Sequence, residues 1–96
     1  MKDRNQILTI LRKHAPFLRE RFKVKRIGVF GSYARGHEKG TSDVDILVDL
    51  HGPIGWEYVD LKEYLEKILE IDVDLVTVKA LKPQLREVIL KEVVFT

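Results

Sequence analysis

Two short segments that combine aspartate with large apolar residues most constrain how this chain can fold. The first, Val44 to Val48, reads VDILV, and the second, Asp72 to Val78, reads DVDLVTV. Both segments are predicted as strands, the second from its alternation of acidic and apolar residues, and acids two residues apart on a strand point to one face of the sheet. Between them, apolar residues from Trp56 to Glu70 recur at helical spacing, which predicts an amphipathic helix. A strand, a helix and a second acid-bearing strand therefore form the centre of the predicted fold.

The other segments add three helices and a strand to this unit. Pro16 interrupts the first apolar stripe, so we expect one helix to end near Lys13 and a second to begin at Pro16. Val24 to Phe30 is predicted as a strand, Leu81 to Val93 as a last helix, and Val94 to Thr96 could add a short edge strand. This order predicts a small α+β fold, with a mixed sheet and helices packed on one face.

The apolar stripes of the helices are interpreted as core and are given no chemical role. That interpretation includes the stripe of the last helix. Trp56 follows a loop rich in glycine and proline, and it is expected to anchor the packing rather than to stack on a nucleobase.

Length and composition exclude several classes of protein. A chain of 96 residues predicts a single domain over residues 1–96, with no room for a separate substrate-binding lobe. With 17 basic and 15 acidic residues the net charge is +2, which is too small for nucleic-acid binding by bulk electrostatics. The absence of cysteine excludes disulfides and thiolate metal sites. No apolar run approaches the roughly 18 residues of a membrane span, and no signal peptide is recognisable, so we expect a cytoplasmic protein without membrane contact.

Paired aspartates predict a divalent metal site. Asp43 and Asp45 are two residues apart at the start of a strand, so their carboxylates share a face and repel one another. A divalent cation removes that repulsion, and hard oxygen ligands favour Mg²⁺ or Mn²⁺. Asp72 and Asp74 form a second such pair, and one of them can complete a three-carboxylate site if the two strands are neighbours. Three acids around two metal ions about 3.5–4 Å apart are typical of phosphoryl and nucleotidyl transfer.

A turn with the chemistry of a phosphate site precedes these acids. Gly31 and Ser32 follow a predicted strand, where glycine permits close approach of an anion to the backbone. Backbone N–H groups and the Ser32 hydroxyl can then hold phosphate oxygens. Arg35 can neutralise further charge. Each element alone is common, but a glycine–serine turn followed about ten residues later by paired acids is much more specific.

The residues Gly31 to Gly36 (GSYARG) and Ser42 to Val48 (SDVDILV) resemble the signature of the minimal nucleotidyltransferases, in the superfamily with the DNA polymerase β palm fold. Ile71 to Val76 (IDVDLV) is similar to the strand that carries the third acid of this family, and Asp74 is the matching position. The resemblance covers nearly the whole chain, including the helix start at Leu81 to Arg86 (LKPQLR). Asp72 is an additional acid, so the choice between Asp72 and Asp74 stays open.

The resemblance implies a role for each matching residue. Asp43 and Asp45 would hold a pair of Mg²⁺ ions, and Asp74 would bind the catalytic metal and help to deprotonate the acceptor hydroxyl. Gly31 and Ser32 would hold the triphosphate of ATP. For Arg35, support of the loop and contact with phosphate or with a partner are alternatives.

The resemblance also implies a partner. Small members of this family are typically paired with a HEPN-domain RNase toxin and transfer AMP from ATP to a tyrosine of that toxin, as type VII antitoxins. Two alternatives remain at this point: a catalytically silent module that neutralises its partner by occlusion, and nucleotide transfer to RNA or to a small molecule. The nucleobase and the oligomeric state, including a homo-oligomer, are left open by the sequence.

Overall fold

The structure is a computed structural model that describes residues 2–31, 33–34 and 43–96. The secondary structure in these residues comprises α1 (Arg4–Lys13), α2 (Ala15–Phe22), β1 (Val24–Phe30), β2 (Val44–Leu50), α3 (Glu57–Leu69), β3 (Val73–Thr77), a 3₁₀ turn (Val78–Ala80), α4 (Pro83–Glu92) and β4 (Val94–Phe95).

The four strands form one mixed sheet in the order β3-β2-β1-β4. β1 pairs antiparallel with both β2 and β4, whereas β2 and β3 are parallel and are connected through α3. A parallel pair requires such a crossover, and the amphipathic segment between the two acid-bearing strands provides it. The predicted α+β architecture with a mixed sheet is confirmed.

Local sequence signals explain where the helices begin and end. Asp3 caps α1: its side chain accepts from the backbone N–H of Gln6, and the Gln6 side chain accepts from the N–H of Asp3. Pro16 lies in the first turn of α2, where its missing N–H costs little. α2 and α3 end at Lys23 and Glu70, which adopt left-handed backbone angles with φ of 58° and 57°. Among the described residues, no helix combines the length and apolar character needed to cross a membrane.

The core lies between one face of the sheet and the first three helices. Alternate strand residues point into it, and the buried side chains come from α1, α2, α3 and the three longer strands, among them Ile7, Leu11, Leu18, Ile27, Val29, Ile46, Val48, Leu61, Leu65, Leu69 and Leu75. The predicted packing of helices on one face is confirmed for these three helices. The opposite face of the sheet carries the acids.

Two predictions about packing are wrong. α4 has no buried residue, and Leu85 and Val88 of its apolar stripe are 49% and 59% exposed. In the described residues, the apolar face of the sheet packs against α1, α2 and α3, so the stripe of α4 stays outside this core. Trp56 is 89% exposed and does not anchor the packing.

Candidate active site

The parallel pairing of β2 and β3 brings two of the predicted acids side by side. Asp45 and Asp74 are direct register partners. Because their neighbours Ile46 and Leu75 point into the core, both carboxyl groups lie on the opposite face of the sheet. Asp43 lies two residues before Asp45, at the entrance to β2, and its side chain is exposed. The two separate acid-bearing segments therefore converge on one surface.

The register distinguishes the positions of Asp72 and Asp74 relative to Asp45. Asp74 faces Asp45 directly, and its interaction with the Asp45 carboxyl group contributes to the raised pKa of Asp45. Asp72 precedes β3, and its backbone oxygen accepts from the N–H of Val44. The geometry thus favours Asp74 over Asp72 as the partner of Asp45.

The environment of Asp45 disfavours its ionised form. Burial raises the pKa of Asp45 from 3.8 to about 6, and the second cause is repulsion by Asp74. The hydrogen bond with Asp74 and repulsion by Asp43 and Glu92 act in the same direction. A cation at this site would relieve the repulsion, as would a shared proton. Perturbation of this kind, by burial together with named like charges, marks candidate functional sites.

Gly31 lies directly against this acid pair. β1 and β2 are in register at Phe30 and Asp45, so the turn that leaves β1 begins beside the Asp45 side chain. Gly31 has a φ of 71°, and a Cβ at this position would overlap the Oδ2 atom of Asp45. Both the backbone conformation and the space therefore require glycine here. The predicted proximity of the turn to the acids is what the structure shows at Gly31.

A residue that the sequence analysis missed contacts the same turn. The backbone N–H of Gly31 donates to Oε1 of Glu92 at 2.6 Å, so this N–H, predicted to face phosphate, is directed at a carboxylate. Glu92 is the last residue of α4 and lies two residues before the start of β4. The sequence signal for β4 was present, but the register of β4 with β1 is a long-range property that the sequence alone does not supply.

The far side of the turn is held by two further contacts. Tyr33 is fully buried and belongs to the core, and the guanidinium of Arg4 donates to the backbone oxygen of Ala34 at 2.8 Å. The predictions for Ser32 and Arg35 lie outside the described residues. They stay predictions.

The three carboxylates have the chemistry that a hard divalent cation requires, but they are not spaced to bind one together. Asp43, Asp45 and Asp74 offer only carboxylate oxygens, the ligands that Mg²⁺ and Mn²⁺ prefer. Among residues 2–31, 33–34 and 43–96, no three His, Cys, Asp or Glu side chains are arranged to hold a metal ion together. The Asp45–Asp74 pair is in contact, whereas Asp43 acts on Asp45 through its charge. Which residues coordinate a metal therefore stays a prediction.

The sequence matches a known domain family over most of its length. Residues 11–96 match the family model described as "Nucleotidyltransferase domain". Protein adenylyltransferase MntA of Thermococcus cleftensis is 50% identical over 91 residues, which cover 94% of this chain and 92% of that protein. A relative at this level of identity and coverage shares the fold and the family.

Solved structures give the same result. The structure described as a minimal nucleotidyltransferase superposes with a TM-score of 0.80 at 36% identity, covering 97% of this chain and 95% of that one. A toxin–antitoxin complex with AMP-PNP gives 0.70 at 27% identity, over 98% of this chain and 72% of that one. The complex of tri-AMPylated HEPN toxin of Shewanella oneidensis with its MNT antitoxin gives 0.60 at 26% identity, over 96% and 66%. The family match and the relatives show that the chain belongs to the nucleotidyltransferase domain family, and the convergent acids beside the glycine turn agree with this.

Proposed function

We propose that this chain is a Mg²⁺-dependent protein adenylyltransferase that transfers AMP from ATP to a tyrosine of a HEPN-domain toxin in the cytoplasm, and so acts as its antitoxin. The observation that carries the proposal is the apposition of Asp45 and Asp74 across β2 and β3, directly beside Gly31. Support comes from the relative named protein adenylyltransferase and from the similar antitoxin found with an AMPylated HEPN toxin. The similar complex with AMP-PNP supports ATP as the nucleotide.

Different residues of the site are proposed to bind the metal ions and the triphosphate. Asp43, Asp45 and Asp74 would hold the divalent ions, which when bound neutralise charge on the triphosphate. Gly31 provides a turn that approaches the acids closely enough to place a triphosphate against them. Ser32 and Arg35 are proposed to contact phosphate oxygens in the same turn. Catalysis would then rest on positioning and on charge neutralisation.

The transfer step forms one bond and breaks one bond. The acceptor oxygen attacks the α-phosphorus in line, a new P–O bond forms, and the bond from the α-phosphorus to the oxygen shared with the β-phosphate breaks. Pyrophosphate leaves with the electrons of that bond. The proton of the acceptor hydroxyl passes to a carboxylate of the site, and Asp74 is proposed for this role because its side chain is exposed to an incoming acceptor.

The proposed protein acceptor is supported by what the surface leaves uncovered. Leu85 and Val88 on α4 and the side chain of Trp56 are exposed large apolar groups. Leu85 and Val88 lie three residues apart on α4 and are therefore neighbours on its surface, and adjacent exposed apolar groups of this kind suit association. A protein partner that docks there can supply the surface that grips the acceptor.

The test is transfer of label from ATP labelled at the α-phosphate to a purified HEPN-domain partner protein. The wild type should label that protein, whereas Asp43→Ala and Asp45→Ala should each abolish labelling. Glu63→Ala, an exposed acid on α3 away from the site, is the matched control and should label normally. Normal labelling by both aspartate variants would reject the proposal. Protection of cells by Asp45→Asn with normal partner binding would favour occlusion without transfer.

A further inference from the structure

We propose that Glu92 is a positioning residue that fixes the nucleotide-binding turn through its hydrogen bond with Gly31. The inference deepens the proposed function and rests on it, because it assigns a role within the same site. Glu92 is not expected to touch the reacting atoms. Its function would be to set the direction of the turn that meets the triphosphate.

The register of the sheet places Glu92 at this position. β1 and β4 pair at Gly28 with Phe95 and at Val29 with Val94. Continuing this antiparallel register by two residues sets position 92 against position 31. The Glu92 carboxylate then accepts the Gly31 N–H at 2.6 Å, a short, charge-assisted bond. The contact therefore lies directly beyond the end of the β1–β4 pairing.

Glu92 occupies its position against two unfavourable electrostatic effects. It is the last residue of α4, and a negative charge at a helix C-terminus opposes the helix dipole. It also adds a carboxylate to a site that already contains Asp43, Asp45 and Asp74. Neither effect stabilises the fold, and residues that break a local rule tend to be functional. The hydrogen bond with Gly31 offsets these effects.

The turn is held from the other side as well, which indicates that its conformation matters. Arg4 donates to the Ala34 backbone oxygen, and Tyr33 is fully buried. The turn is therefore held at Gly31 by Glu92, and at Tyr33 and Ala34 by burial and by Arg4. A turn that must present several groups to one triphosphate benefits from such fixation, because less conformational freedom is lost on binding.

Two variants separate the hydrogen bond from the charge. Glu92→Gln keeps an oxygen that accepts the Gly31 N–H, whereas Glu92→Ala removes both the acceptor and the charge. Glu87→Ala is the control, because Glu87 lies on the same helix, is exposed and pairs only loosely with Lys91 at 3.4 Å. Thermal unfolding checks that all three variants are folded.

The first readout is hydrogen exchange of the Gly31 amide, measured by NMR on the free protein without nucleotide. Exchange should accelerate in Glu92→Ala and stay near the wild-type rate in Glu92→Gln and Glu87→Ala. An unchanged exchange rate in Glu92→Ala would overturn the inference, because the contact would then not hold the turn.

The second readout is the apparent KM for ATP against kcat, at a fixed concentration of the protein acceptor. Glu92→Ala should raise the KM about tenfold, the factor expected from loss of one hydrogen bond to a charged group, and should change kcat much less. Glu92→Gln should restore most of the wild-type KM. A lower KM in Glu92→Ala would overturn the inference and identify Glu92 as a competitor of the triphosphate. An equal rise in KM in both Glu92 variants would also overturn the inference, because the charge would then be the property that matters.

If the wild type transfers no AMP, the proposed function fails, and the amide exchange alone decides the role of Glu92.

Discussion

Replacing Asp45 with asparagine should stabilise the free protein at neutral pH, although it removes a residue proposed for metal binding. The pKa of Asp45 is raised from 3.8 to about 6, chiefly by burial and by repulsion from Asp74. The ionised form of Asp45 therefore lowers the free energy of unfolding at neutral pH. Asparagine resembles the protonated acid in shape and still offers a hydrogen bond to Asp74.

The magnitude follows from the shift in pKa. A shift of about two units corresponds to about 3 kcal/mol at 1.36 kcal/mol per unit. Because Asp45 retains some contact with water, screening reduces this value, and we expect a gain of about 1–2 kcal/mol in the free energy of unfolding. The destabilisation by Asp45 depends on pH, because its pKa is higher in the folded protein than in the unfolded chain. The wild type has its full stability below pH 3.8, where Asp45 is protonated in both states, and loses stability as the pH rises through about 6.

The assay is urea unfolding followed by far-ultraviolet circular dichroism, with EDTA present, at pH 4 and at pH 7.5. Trp56 is already exposed in the folded protein, so its fluorescence is a poor probe. Asp45→Asn should be more stable than the wild type at pH 7.5 and nearly equal to it at pH 4. Glu63→Gln, an exposed substitution on α3, should change the stability by less than about 0.5 kcal/mol at both pH values. A loss of stability at pH 7.5, or the same gain at both, would refute the reasoning.

Three further predictions concern the strand pairing, a helix end and the ligands. Gly28→Ala should lower the free energy of unfolding by about 1–3 kcal/mol in urea titrations, because the added Cβ would lie 2.6 Å from the backbone oxygen of Val94; unchanged stability would mean that β4 does not pair with β1 as described. Lys23→Gly should raise the stability by about 0.5–1 kcal/mol, since Lys23 ends α2 with a φ of 58°, and a fall in the melting temperature would contradict this. Mg²⁺ with ATP should raise the melting temperature, because ligand at a hundredfold excess over Kd adds about 2.7 kcal/mol to the free energy of unfolding. Asp43→Asn should lose most of that rise, and an identical rise in the variant would place the site elsewhere.

The parts of the fold that the sequence predicted depend on local patterns. A short apolar run predicted β2, and alternation of acidic and apolar residues predicted β3; the two strands carry Asp45 and Asp74 on one face as expected. The first helix ends at Lys13, and β1 spans Val24–Phe30, as predicted. In each case, neighbouring residues contain the information, because strand alternation and helix termination are set within a few residues.

What the sequence did not predict depends on contacts between distant residues. An apolar stripe shows that a helix can bury one face, but not that a partner surface is present within the same chain, and α4 finds none in the described core. Trp56 was misjudged for the same reason. Glu92 was missed because its role requires the register of β4 against β1, which joins residues far apart in sequence. The roles of Ser32 and Arg35 remain predictions.

The most direct test of the account is the intact mass of the partner protein after incubation with ATP, Mg²⁺ and this chain. The account predicts that wild-type protein adds the mass of at least one AMP to a partner tyrosine, and that Asp45→Asn adds none while still binding the partner. The same mass increase with Asp45→Asn, or an unmodified partner in a wild-type complex that binds ATP, would contradict it.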